Sequence, residues 1–208
     1  MIRDGIPYVA ITGALAVACL IVALWVPLLW IGVAVFVGLA AFMAFFFRDP
    51  DRSIPLEPGI VLAPADGKVT IVRPADEDHG ESLVSIFLSP MDVHINRAPI
   101  EGEIVDISYK TGKFVMATRD DARLLNEQNA LTIVGKDVTL TCVQIAGVLA
   151  RRIVCWKRRG DRVKCGERFG MIKFGSRTDL LMPAKVEILV REGMRIRGGE
   201  TIIGRIKI

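Results

Sequence analysis

The chain divides near Phe47 into two regimes of hydrophobic patterning. Residues 9 to 47, 39 in all, carry no charged side chain, about twice the ~20 residues that cross a bilayer as one helix. Pro27 lies near the middle of this run, and a proline inside a helix removes a backbone donor and clashes with the preceding turn. The pattern predicts two short apolar helices, Tyr8 to Trp25 and Leu28 to Phe47, with Trp25 and Trp30 at the turn, where amphipathic rings favour the water interface. Gly13, Gly32, Gly38 and Pro27 would also let the segment bend as a hairpin embedded in one leaflet, so spanning and in-plane forms both stay open. The run is too long for the ~7 to 15 apolar residues of a cleaved signal peptide.

After Phe47 the apolar runs become short and are broken by Gly, Pro and Asp, which reads as mainly β. Strands are expected at 60–62, 68–72, 83–88, 104–109, 131–134, 138–145, 151–156 and 185–190, with one short helix within Arg119 to Asn129. The division is therefore residues 1–47 as a membrane-associated helical hairpin and 48–208 as one domain. Near the end, Gly160-Asp-Arg-Val-Lys-Cys-Gly-Glu-Arg-Phe169 repeats as Gly193-Met-Arg-Ile-Arg-Gly-Gly-Glu-Thr-Ile202, an offset of 33 residues. Each copy reads as a tight turn, a short strand, a second turn at Gly-Glu and another strand. Paired units of this kind suggest a pseudo-symmetric β-barrel or sandwich. They resemble the hammerhead turns of biotinyl and lipoyl domains and other barrel-sandwich hybrids.

Charge changes the picture in two places. Arg3, Arg48 and Arg52 flank the apolar run and favour the cytoplasmic side for both ends, with Asp4, Asp49 and Asp51 diluting the bias. Residues 1–150 hold 11 Lys and Arg against 17 Asp and Glu, whereas residues 151–208 hold 16 against 6. Beside a membrane segment, the partner expected for so basic an end is an anionic lipid surface. Nucleic acid is not expected, because no recognition helix or aromatic interleaving accompanies the charge. Cys19, Cys142, Cys155 and Cys165 show no Cys-x-x-Cys spacing, which argues against a disulfide framework or a zinc site. No other spacing points to a metal.

The candidate chemistry is confined to a few residues. A Gly-Ser bond, here Gly175-Ser176, is an ordinary turn dipeptide. It is also a bond that can cut itself, because a serine hydroxyl can attack the carbonyl before it and glycine leaves that approach open. The chain has two histidines. His79 reads as a solvated loop residue, while His94 follows the apolar run 83–88 and so lies on a loop delivered by a rigid strand. Asp66, in Pro64-Ala-Asp-Gly67, reads either as a turn residue or as a carboxylate that orients His94 beside Ser176. A Gly-x-Ser-x-Gly elbow is absent, which weighs against an ordinary serine hydrolase.

Taken together, Arg48-Asp-Pro-Asp-Arg52, Ala63-Pro-Ala-Asp-Gly67, Leu88-Ser-Pro-Met-Asp-Val-His-Ile-Asn-Arg-Ala-Pro99, Gly112-Lys-Phe114 and Lys173-Phe-Gly-Ser-Arg177 resemble the short bacterial and archaeal branch of the phosphatidylserine decarboxylase family. In an archaeon the same sequence type would act on archaetidylserine. The resemblance implies serinolysis at Gly175-Ser176, giving a β chain of residues 1–175 and an α chain of 33 residues, 176–208. Ser176 would become an N-terminal pyruvoyl cofactor whose ketone forms a Schiff base with the amine of the phospholipid substrate. Asp66, His94 and Ser176 are implied as the processing group, with His94 a candidate proton donor after decarboxylation. The implied partners are the phospholipid, the cell membrane and the two chains themselves; a homo-oligomer is left open.

Two departures matter. Longer members carry Asp-Tyr-His-Arg-x-His where this chain has Asp92-Val-His94-Ile-Asn-Arg97, so an arginine replaces the second histidine. Their Leu-Gly-Ser-Thr is Phe174-Gly-Ser-Arg177 here. Arg97, Lys173 and Arg177 are candidates to grip the substrate carboxylate or phosphate, or else plain surface charge. The competing reading is a membrane-anchored, non-enzymatic barrel-sandwich adaptor or carrier, for which Met182-Pro-Ala-Lys185 is a poor modification site.

Overall fold

The computed structural model describes residues 1–76, 80–115, 122–147, 152–173 and 175–207, so His79, most of the segment before Ala122, and Arg151 lie outside the description. The chain forms two compact units, Met1–Asp51 and Arg52–Ile208.

The first unit is a helical pair. Helix α1 is Ile6–Ala23 and helix α2 is Trp30–Phe46, joined through a short 3-10 turn at Pro27–Leu29. Pro27 starts that turn and α2 follows it directly, because a proline needs no backbone donor in a first turn. Counted with their 3-10 turns, the two segments are 21 and 20 residues long, about the 30 Å of a bilayer core. Ile11, Val17, Ile21, Ile31, Val35 and Val37 are exposed on them. Helices with no polar face belong in an apolar solvent or a core, and these two are apolar enough to cross a membrane. The open end is fastened: Ile2 N–H donates to Phe47 O at 3.1 Å, and Tyr8 stacks on Phe47 with ring centroids 5.1 Å apart. Gly5 is required there, since a Cβ would stand 2.4 Å from Phe47 Cβ.

The second unit is mainly β, with one short helix, α3 (Ala122–Leu125), among the described residues. Its strands are β1 (Ile60–Leu62), β2 (Gly67–Arg73), β3 (Glu81–Leu88), β4 (Ile95–Arg97), β5 (Gly102–Lys110), β6 (Gln128–Val134), β7 (Thr139–Ala146), β8 (Arg152–Cys155), β9 (Arg162–Val163), β10 (Arg168–Lys173), β11 (Ser176–Pro183), β12 (Val186–Ile188), β13 (Arg195–Ile196) and β14 (Ile202–Ile206). Eight of them form one sheet in the order β13-β2-β3-β11-β7-β6-β5-β9, and β4-β10-β8 and β1-β14-β12 form two smaller sheets. Side chains alternate faces along a strand. On β11, Ser176, Thr178, Leu180 and Met182 share the face that joins Val84, Ile86 and Leu88 of β3 and Leu140 and Cys142 of β7 in the main core. Val61, Ala63, Phe169 and Ile203 pack on that core from the smaller sheets and their ends.

The turn repeat folds as expected, each copy a turn, a short strand, a Gly-Glu turn and a longer strand. The structure adds a second repeat that docks on it. Ala63-Pro-Ala-Asp-Gly-Lys-Val69 and Ala98-Pro-Ile-Glu-Gly-Glu-Ile104 both read Ala-Pro-x-acid-Gly-x-apolar. Gly199 N–H donates to Ala63 O at 2.9 Å and Gly166 N–H to Ala98 O at 2.8 Å; likewise Val69 N–H donates to Met194 O and Ile104 N–H to Asp161 O, both at 2.9 Å. The two Ala-Pro segments clasp each other reciprocally, Leu62 N–H to Pro99 O and Arg97 N–H to Pro64 O, both at 2.9 Å. This is a local two-fold.

The short helix expected within Arg119 to Asn129 is α3, which ends at Leu125; residues 119–121 lie outside the described residues. Asn126, fully buried, bonds Val115 N–H and O and Ala146 O through its side chain, and Gln128 and Asn129 join β6. Tertiary hydrogen bonding of an Asn side chain and of the sheet displaces local helical preference there. The strand expected at 185–190 is confined to β12, and Ser176 begins a strand instead of lying within a turn.

Candidate active site

Ser176 is the first residue of β11, paired to Leu88 of β3 on one side and Ala146 of β7 on the other. It is fully buried, and its Oγ has no hydrogen-bond partner among the described residues. Leaving a buried hydroxyl unpaired costs about 1–3 kcal/mol, so an orphan of this kind calls for an explanation. Gly175 just before it has φ +60°, and a Cβ built on it would meet nothing within 4 Å. The left-handed backbone, not crowding, is what requires glycine.

His94 immediately precedes β4 and is buried. Its Nδ1 lies 2.9 Å from Asp92 O and its Nε2 is 3.3 Å from Gly175 N. A carbonyl oxygen can only accept, so the hydrogen-bond pattern assigns the proton to Nδ1 and leaves the Nε2 lone pair turned to Gly175. The loop that carries His94 is held by Asp92: one carboxylate oxygen accepts from Ser89 N–H at 2.8 Å and Ser89 Oγ at 2.7 Å, the other from Arg195 at 2.9 Å. Sequence reading passed over Asp92; the spacing Ser89-x-x-Asp92 in a Pro-containing loop was the available signal.

A chain of neutral amides fixes the strands around this point. Asn129 of β6 donates to Gln144 Oε1 at 2.9 Å, Gln144 of β7 to Asn96 Oδ1 at 2.8 Å, and Asn96 of β4 to Thr178 Oγ1 at 3.0 Å. Thr178 stands two residues beyond Ser176 on the same face of β11, and Asn96 two beyond His94, so the chain ties the serine strand to the histidine strand. None of these residues was picked out from the sequence, where they are four unremarkable polar positions.

The structure does not join Asp66 to His94. Arg52 reaches both Asp66 carboxylate oxygens, at 3.0 and 2.8 Å, and Gly198 N–H donates to the first at 2.8 Å. Asp66 thus anchors the Gly-Glu turn of the second repeat copy. Arg97, at the second histidine position of longer relatives, is buried and donates to Gly166 O at 3.0 Å, bracing the first copy. An arginine stays protonated and cannot act as a base.

The cationic candidates are not plain surface. Lys173 is buried at the end of β10. Arg177 is buried on the opposite face of β11 from Ser176, paired with Asp179 at 2.6 and 3.0 Å and donating to Ser85 Oγ at 2.9 Å. Burial, then the nearby Asp179 charge, pushes the Cys142 thiol up. Lys185, weighed as a carrier lysine, is exposed and donates to Asp137 O.

An unpaired buried hydroxyl, a left-handed glycine before it and an imidazole nitrogen at that glycine's N–H are the parts that self-cleavage at a Gly-Ser bond would use. The sequence model of the phosphatidylserine decarboxylase family matches residues 39–204. The phosphatidylserine decarboxylase proenzyme of Geobacter sulfurreducens is 42% identical over 97% of this chain and 94% of that protein. That of Symbiobacterium thermophilum is 47% identical over 98% and 94%, and that of Solibacter usitatus 51% over 80% and 79%. With the match spanning both the Gly175-Ser176 bond and the His94 loop, this chain belongs to the phosphatidylserine decarboxylase family.

Proposed function

We propose that this chain is a self-processing, pyruvoyl-dependent phosphatidylserine decarboxylase that cuts itself at Gly175-Ser176. The observation that carries the reading is the unpaired, buried Ser176 Oγ beside the glycine whose N–H meets His94 Nε2. In the cleavage, His94 Nε2 takes the Ser176 hydroxyl proton as Oγ attacks the Gly175 carbonyl carbon. The amide C–N bond breaks, an ester forms, and the freed Ser176 nitrogen receives the proton. Loss of the Ser176 α-proton then expels the Gly175 carboxylate, and water replaces the nitrogen of the resulting dehydroalanine, releasing ammonia.

The residues fit a pyruvoyl group at this position: the nucleophile is buried, unpaired, and set at the start of a strand held on both sides. When formed, that group supplies a ketone able to draw electrons from the amino-acid α-carbon as the carboxylate leaves. To His94 we then assign the return of a proton to that carbon, with Asp92 holding its loop and the amide chain its strand. Asp66 acts at a distance, as the anchor of the second repeat turn. The repeats and their local two-fold favour a barrel-sandwich hybrid for the catalytic unit. The arginines that flank the apolar helices favour the cytoplasmic side for it.

Intact-mass measurement tests the reading. The expected result is a chain beginning at residue 176 with a blocked N-terminus and carbon dioxide release from phosphatidylserine. In Ser176→Ala both should vanish; a cleaved, active Ser176→Ala protein would refute the assignment.

A further inference from the structure

The two copies of the turn repeat differ in what their cations do. In the second copy Arg195 is paired with Asp92 at 2.9 Å and Arg197 with Glu200 at 3.6 Å. Their counterparts at the 33-residue offset are Arg162 and Lys164, both exposed, and neither is in an ion pair among the described residues. The carboxylates of the first copy are committed elsewhere. Glu167 is paired with Lys157 and accepts from Lys164 N–H at 2.8 Å, and Asp161 accepts from Arg158 N–H at 2.8 Å. Residues 152–168 thus hold seven Lys and Arg against two acidic residues, with the side chains of Arg152, Arg158, Arg159, Arg162 and Lys164 all exposed.

Trp156 stands among them, 37% exposed. An indole is favoured where one end is apolar and the other wet, as at a bilayer's head groups, and clustered cations bind a surface of anionic lipids. The segment is also well placed: β8 pairs along β10, Arg152 opposite Lys173, two residues before Gly175. We propose that the first repeat turn, 152–168, is a docking face for an anionic bilayer surface, with Trp156 at head-group depth and Arg158, Arg159, Arg162 and Lys164 against lipid anions. The second copy, its cations paired, is the internal control. This inference does not depend on the chemistry of Ser176.

Hydrogen exchange of the full chain in lipid nanodiscs provides the test, because the apolar helices keep the chain on the disc whatever the lipid. Discs of phosphatidylcholine alone are compared with discs of phosphatidylcholine mixed with phosphatidylglycerol. The expected result is slower exchange at 156–166 in the anionic discs only, with 191–199 unchanged. At roughly fivefold per cation, replacing four cations should weaken docking by about 600-fold. The protection should therefore disappear in R158Q/R159Q/R162Q/K164Q, whose melting temperature matches the parent's, and in about 1 M salt, where the Debye length is about 3 Å. Equal exchange in both discs, equal protection of the two repeat turns, or protection that survives salt or the fourfold substitution overturns the proposal. So does stronger protection by an oligonucleotide added to phosphatidylcholine discs, which would make the face a nucleic-acid site.

Discussion

His94 offers its Nε2 to the backbone N–H of Gly175 at 3.3 Å, while its Nδ1 is fixed 2.9 Å from Asp92 O. The ring is thereby locked in one tautomer with its basic nitrogen at the backbone N–H of Gly175, the residue before Ser176. His94→Gln keeps a polar side chain and removes the base. Self-cleavage should slow by roughly 10²–10⁴-fold, followed as the appearance of the 33-residue fragment over time. Cleavage at the parental rate would remove His94 from the processing step.

Gly175→Ala separates backbone strain from crowding. The site has room for a methyl group, but φ is +60°, which costs an L-residue roughly 1–2 kcal/mol. The variant should fold with a slightly lower melting temperature and process slowly. Unchanged processing would show that the left-handed backbone is unimportant to the reaction.

Gln144→Leu interrupts the amide chain at its middle, leaving Asn96 Oδ1 and Asn129 Nδ2 without their partner. Each buried group left unpaired costs about 1–3 kcal/mol. Because Asn96 links the His94 strand to Thr178, the variant should lose processing rate beyond what its lowered melting point accounts for. A variant with lower stability and an unchanged cleavage rate below its melting point would assign the chain to stability alone.

Arg177 and Asp179 are buried together. Removing one partner should cost about 3–5 kcal/mol, and replacing both by apolar residues of similar volume should recover most of it. The measurement is a melting series of Arg177→Met, Asp179→Leu and the double variant. Additive losses in the double variant would show that the pair is not coupled.

The cysteines of the catalytic unit should be slow to react. Burial, reinforced by Glu101, pushes the Cys165 thiol to about 11, and burial raises Cys155 as well. The thiolate is the nucleophile, so at pH 8 only about one Cys165 in a thousand is reactive. Alkylation should rise about tenfold per pH unit from pH 7 to pH 10 in the folded protein, read by mass. Rapid modification at pH 7 would contradict the buried setting.

How far the sequence was legible follows from the kind of signal each feature leaves. The helical pair was plain because 39 uncharged residues and one proline are local facts. The turn repeat was plain because Gly and Glu mark its corners. The second repeat, at Ala63 and Ala98, escaped notice because it shows only Ala, Pro, an acid and Gly, and gains its meaning from reciprocal hydrogen bonds. Ser176 was recognised, but not as the start of a central strand: Arg177 and Asp179 look unlike a buried strand until they are seen to neutralise each other. Asp66 was read towards His94, and its tie to Arg52, 14 residues away, depends on the path of the chain between them. The amides at 96, 129 and 144 come from three different strands, so no spacing announces them.

β11 lies between β3 and β7, paired along almost its whole length. Opening the backbone just before it would release torsions at Gly175 and no ladder hydrogen bond beyond Ser176. The fragment from 176 onward also contributes β12, β13 and β14 to two sheets. The break would therefore behave as a newly made chain end pinned inside a sheet, with its first atom held in place and its neighbour free to swing clear. The same threading makes the two pieces topologically dependent on each other: two of the three sheets draw strands from both pieces and only β4-β10-β8 lies wholly in the first, so folding first and scission second is the order this topology favours.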